Sequence, residues 1–194
     1  MSSGRPIRPQ GPGPWGDLSR RLPLAELERG LEALAPPRDT GRLALIVARG
    51  DEGRRATPDS AVVSPEGGFA GDAWSHDAPA NIDSQISLMR LDVARLIANG
   101  QPLSLFGDNL FIELDLSAAN LPPGSLLRLG TAALEVTPEP HTGCAKFRQR
   151  FGAAALRLTA DRRRHHLRLR GIYAKVVQSG AIEVGDSIEV VSRG

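Results

Sequence analysis

Leu24, Leu27, Leu31 and Leu34 recur at helical spacing before Pro36-Pro37 closes the run, which predicts a short amphipathic helix over residues 24–35. Residues 43–48 are continuously apolar and read as a buried strand. Residues 50–60 are polar with Gly and Pro and read as a loop, and Val62-Val63 opens another strand before the turn Pro65-Glu66-Gly67-Gly68. A strand over 85–89 leads into a helix over 91–98, which Asn99-Gly100 stops. Strands follow at 109–114, 126–129 and 133–137, the last two forming a hairpin around Gly130-Thr131. Helices are predicted over 144–151 and 153–163. The chain ends in strands 172–178 and 187–191, read as a closing pair with turns at Ser179-Gly180 and Glu183-Val184-Gly185-Asp186.

Many short strands, Gly/Pro turns and the absence of a βαβ rhythm predict a mainly β (α+β) fold: a closed or nearly closed β-barrel with about two to four peripheral helices. Residues 1–23 carry Pro6, Pro9, Pro12, Pro14 and Pro23 among Gly4, Gly11, Gly13 and Gly16. They are expected to form a flexible tail, leaving 24–194 as a single domain. The apolar fraction of 41% and charged fraction of 24% place the chain with globular proteins rather than disordered ones. A net charge of +2 provides no global field for nucleic acid. The 43–48 run is far shorter than the roughly 20 residues of a membrane span. No apolar block follows Arg5 and Arg8 as a secretory signal would require, so a cytoplasmic protein is expected.

Cys144 is the only cysteine, which excludes an intrachain disulfide or a multi-thiolate metal site. It lies in Pro140-His141-Thr142-Gly143-Cys144-Ala145-Lys146-Phe147-Arg148, where a helix is expected to start at or beside the thiol. Free N–H groups at a helix start, with Lys146 and Arg148 nearby, favour a thiolate, which can act as nucleophile, persulfide carrier or soft metal ligand. The competing reading of a lone cysteine is a small buried apolar residue. His141 is a candidate acid–base group, with His76 behind it. Arg162-Arg163-Arg164-His165-His166-Leu167-Arg168-Leu169-Arg170 is the densest charge in the chain; it suits a phosphate, or else is a solvated helix end. Asp72, Asp108, Asp115 and Asp186 sit beside turn residues and read as backbone caps.

Gly71-Asp72, Gly107-Asp108-Asn109-Leu110, Leu121-Pro122-Pro123-Gly124, Leu134-Glu135-Val136-Thr137-Pro138 running to Cys144, and Gly171-Ile172-Tyr173-Ala174-Lys175-Val176 with Gly185-Asp186 occur in the order of the MOSC family, over residues 60–191. The chain resembles a small member of that family, similar to the C-terminal domain of molybdenum cofactor sulfurases. The resemblance implies a MOSC-type β-barrel in which Cys144 carries sulfur or ligates molybdenum and His141 assists catalysis. Molybdopterin is the implied cofactor, bound by Cys144, Asn109, Lys146, Arg168 and Arg170. The implied activity is reduction of N-hydroxylated small molecules, or sulfur transfer, with a separate reductase or sulfur donor protein as partner. After Gly71-Asp72 this chain has Ala73-Trp74-Ser75-His76 in place of the family's His-Gly-Gly stretch. The alternative is therefore a non-catalytic binding module with an empty cofactor site and a basic interaction surface.

Overall fold

The computed structural model describes residues 16–50, 53–76 and 80–194, excepting the side chains of Ser75 and His76. Helix α1 (Leu24–Glu32) precedes strands β1 (Thr40–Ile46), β2 (Ala48–Arg49), β3 (Arg55–Ala56), β4 (Ser60–Ser64) and β5 (Gly68–Phe69). Strand β6 (Ile86–Arg90) runs directly into α2 (Leu91–Ala98), and β7 (Leu110–Ile112) follows. The hairpin of β8 (Leu126–Leu129) and β9 (Ala132–Val136) precedes α3 (Ala145–Ala160), then β10 (Ile172–Gln178), β11 (Gly180–Glu183) and β12 (Ser187–Ser192).

Seven strands close a barrel in the order β1-β12-β8-β9-β10-β6-β7, with β7 returning to β1. Closure removes the unpaired edges that an open sheet would present. Alternation sets the inner face: Ile172, Ala174 and Val176 of β10 and Ala132, Leu134 and Val136 of β9 are buried, while Tyr173, Lys175 and Glu135 between them are only partly so. The inward residues join Leu43, Leu88, Ile112 and Leu129 in one aliphatic core. Outside, Lys175 meets Glu135 across the β9–β10 ladder at 2.9 Å.

Three sequence expectations are corrected. First, β10 and β12 do not pair: β10 lies between β6 and β9, β12 lies between β1 and β8, and β11 pairs with β4. Alternation specifies the face a residue takes but not the partner of its strand. Second, the 50–60 loop contains β3, which folds back on β2, and the start of β4. Third, one βαβ unit is present: β6 and β7 are parallel, joined through α2. A parallel neighbour requires such a crossover.

A second core lies between the wall and the helices. It joins Leu27 of α1, Val93 and Ile97 of α2, and Phe147, Phe151, Ala155 and Leu158 of α3 to Met89 and Phe111, which face outward from the barrel. Four of the five phenylalanines meet here: Phe106 stacks on Phe151 at 4.1 Å and meets Phe111 and Phe147 at 5.9 Å. Each buried ring contributes roughly 1.5–3 kcal/mol, enough to fix the start of α3 on the barrel. Gly152, at φ +92°, bends α3 at the boundary between the two helices predicted for this stretch.

Of the expected tail, residues 1–15 lie outside the described residues. The part beyond them is docked: the Asp17 N–H donates to Gln101 Oε1 at 2.6 Å, Asn99 donates to the Arg20 carbonyl, and Arg21 donates to the carbonyl of Gln149. No helix among the described residues is long and apolar enough to cross a membrane.

Candidate functional site

The polar chemistry gathers on the outside of the barrel, where the β2–β3 hairpin, the 107–109 turn, the start of α3 and the 137–143 segment converge. Asn109 is fully buried and internally satisfied. Its Oδ1 accepts from the Ser87 N–H at 3.1 Å and hydroxyl at 2.9 Å, and its Nδ2 donates to Asp72 Oδ1 at 3.0 Å. Asp72, also fully buried, receives the Arg49 backbone N–H at 2.7 Å and the Arg49 guanidinium through a fork of 2.5–3.1 Å. Those bonds hold the Asp72 carboxyl below its ordinary value against the opposing effect of burial.

Asp108 adjoins this pair. Its Oδ2 receives Arg170 Nη1 at 2.6 Å, and its Oδ1 lies 3.4 Å from His141 Nε2. Arg170 also rests over the Phe147 ring at 5.1 Å. Burial lowers the His141 pKa to about 4; Asp108 opposes the shift, while Arg170 and Arg49 add to it. The imidazole is therefore neutral at pH 7. Asp108 Oδ1 and His141 Nδ1 are both buried without a hydrogen bond. Tyr173 stands beside His141 with ring centroids 4.3 Å apart.

Two further arginines complete the cluster. Arg55 and Arg150 come within van der Waals range of a side chain built on Gly107. Arg150 donates to the Leu105 carbonyl at 2.6 Å. Arg55 Nε is buried without a hydrogen bond, and Arg55 makes no ion pair among the described residues. Burial, with the like charges of Arg150 and Arg49, lowers the Arg55 pKa. Burial likewise lowers that of Arg150, whereas Cys144 acts to raise it, so the thiol lies within electrostatic reach of that guanidinium.

Cys144 immediately precedes α3 in extended backbone and is exposed. Its side chain caps no helix N–H, and its carbonyl accepts the helix's first bond, from the Arg148 N–H at 3.0 Å. Lys146 is exposed on the first turn of α3. Arg168 sits at φ +48° and donates to the Leu121 carbonyl at 2.5 Å. His141, Arg168 and Arg170 line one crevice of about 290 Å³ between the 137–143 segment and residues 165–172. The side chain of His76 lies outside the described residues. Among those residues, no group of three or more His, Cys, Asp or Glu could hold a metal ion.

The structure thus brings His141 and Arg170 together on Asp108, places Cys144 within electrostatic reach of Arg150, and buries Asn109 against Asp72, while Lys146 is exposed on α3. Arg49, Arg55, Arg150 and Tyr173 were not singled out from sequence, and Asp72 and Asp108, read as turn caps, are the counterions of Arg49 and Arg170. The Gly71-Asp72 and Gly107-Asp108-Asn109 motifs marked the two acids but not what they bind.

A closed β-barrel with peripheral helices is the fold that the sequence motifs had implied. Residues 73–189 match the MOSC domain family, more than half of the chain, and the chain belongs to that family. A Bacillus subtilis relative, the uncharacterized protein YflK, is 30% identical over 96 residues, which are 48% of this chain and 41% of YflK. The chain therefore spans well under half the length of that curated relative. Among solved structures, YuaD from Bacillus subtilis superposes with a TM-score of 0.59 at 22% identity, covering 80% of this chain and 98% of YuaD. YiiM from Escherichia coli gives 0.56 at 20% identity, covering 79% and 71%. At these identities the two structures show the fold.

Proposed function

We propose that the site holds a molybdopterin-type cofactor and reduces N-hydroxylated small molecules. The observation that carries the reading is a pair of buried guanidinium Nε atoms without a hydrogen bond, those of Arg55 and Arg170, in a cluster that also holds Arg49, Arg150 and the thiol of Cys144. A buried charged donor without an acceptor is costly until one is supplied, and guanidinium forks match phosphate oxygens. The buried, unbonded Nε of Arg55 is a donor awaiting such an oxygen. Arg168 is engaged by the Leu121 carbonyl and Arg150 by that of Leu105, so the anionic end is assigned to Arg55 and Arg170. The Cys144 thiolate is the soft ligand suited to molybdenum.

Bound there, a molybdenum centre supplies two-electron removal of oxygen. An N-hydroxylated base takes up two electrons and two protons and leaves as the amine and water, the electrons coming from a separate reductase. Within the chain, Asn109 and Ser87 hold Asp72, and Asp72 orients Arg49. Asp108 fixes Arg170 and faces His141. His141 on the crevice wall is assigned the handling of a proton.

The test is elemental and pterin analysis of protein made in a molybdopterin-competent host. The expected result is stoichiometric molybdenum and pterin in the wild type, loss of molybdenum in Cys144→Ser, and reduced pterin in Arg55→Ala. Wild-type protein carrying neither would refute the proposal. A persulfide on Cys144 without metal would replace it with sulfur transfer.

A further inference from the structure

Charge is distributed unevenly along this chain. Residues 144–170 contain nine of its 24 lysines and arginines but only one, Asp161, of its 22 acids. The remainder is net acidic, so the overall value of +2 conceals a strongly polarised molecule. Five of the nine cations are engaged or inward. Arg150, Arg168 and Arg170 face the interior, Arg163 pairs with Asp161, and Arg164 pairs with Asp161 and Glu28. Lys146, Arg148, Arg157 and Arg162 are exposed and make no ion pair among the described residues. Lys146, Arg148 and Arg157 are exposed along α3 and Arg162 just after it, with exposed Cys144 at the head of the same helix.

We propose that this outer face of α3 is the docking surface for an acidic electron-carrier protein. The carrier's identity rests on the reductive function proposed above; the acidic complement follows from the charge alone. Like charges exposed along one element repel one another, and the repulsion is relieved when a negative patch covers them, which also steers the encounter. A nucleic acid fits less well. Phe147 and Phe151 are buried, so the face offers no phenylalanine, tyrosine or tryptophan ring for base stacking, and the net-acidic remainder of the chain repels a long polyanion. A membrane surface fits less well too, because the exposed large apolar residues, such as Val62 and Val191, all lie outside residues 144–170.

The experiment uses the full chain and a plant-type [2Fe–2S] ferredoxin as the acidic probe, with binding measured by calorimetry at about 20 and about 300 mM salt. Wild type should bind at low salt and lose most of its affinity at high salt. The triple variant Lys146→Glu, Arg148→Glu, Arg157→Glu should bind at least about tenfold more weakly. The same triple with Gln, which removes charge without reversing it, should fall between. Arg95→Glu, an exposed charge reversal on α2, should bind as wild type does. Absence of wild-type binding, or equal binding by the Glu triple, overturns the inference. So does tighter capture, through the same residues, of oligo-dT or phosphatidylserine vesicles. Binding needs no molybdenum, so an empty chain that still docks the ferredoxin leaves this inference standing while the cofactor reading fails, and a loaded chain that does not dock does the reverse.

Discussion

Acidification should destabilise the fold through His141 before its perturbed carboxylates respond. Burial, Arg170 and Arg49 keep the folded pKa of the imidazole at about 4 against an ordinary 6.5, despite the attraction of Asp108. The depressed value means that the folded state holds the neutral form. The resulting stability is fully present above pH 6.5 and is lost as the pH falls toward 4, because the unfolded chain takes up the proton first. The gap between the two values corresponds to about 3 kcal/mol, a slope approaching 1.4 kcal/mol per pH unit within the window. The side chain is only 7% exposed, so solvent screening takes little from that figure. Asp72 and Asp161, both held below 3.8, respond beneath the window. The assay is urea unfolding at intervals from pH 7 to 4.5 for the wild type and His141→Gln. The wild type should lose most of the increment and the variant should stay nearly flat. Parallel slopes for the two proteins would show that His141 is not the group responsible.

Gly171→Ala should cost at least about 2 kcal/mol, since Gly171 sits at φ +102° and an added methyl would collide with the Leu88 carbonyl oxygen and press on His141 Nδ1 at 3.1 Å; an unchanged urea midpoint at pH 7 would contradict this. Iodoacetamide should modify exposed Cys144 in the native protein, and modification that requires denaturant would mean that the thiol is buried in solution.

The barrel and helices were legible because alternation and helical spacing are local signals. Leu24, Leu27 and Leu31 sufficed for α1, and Gly152 falls in the gap left between two predicted helices. Strand partnership was not legible. The closing pair expected of β10 and β12 failed because each had a longer-range partner that only the closed circuit of strands determines. The candidate site divides in the same way. Cys144 and His141 stand three positions apart and could be read together, whereas Arg49 and Arg55 lie about a hundred residues from Arg150 and Arg170 and meet only after closure. Asp108 beside glycine looked like a turn residue, since one-dimensional context cannot reveal a guanidinium arriving from residue 170.

The barrel lumen is filled with leucine, isoleucine and valine, leaving the chemistry to be built on the outer wall. The scaffold and its reactive groups are thereby separable. Substitutions at the exposed positions of the 137–143 segment, Pro138, Pro140 and Thr142, or on the exposed side of α3 can redirect what is bound without touching the ladder that keeps the cylinder shut. For protein engineering this makes the fold a durable mount for new specificity: a library confined to those positions samples chemistry while leaving the scaffold's stability largely intact.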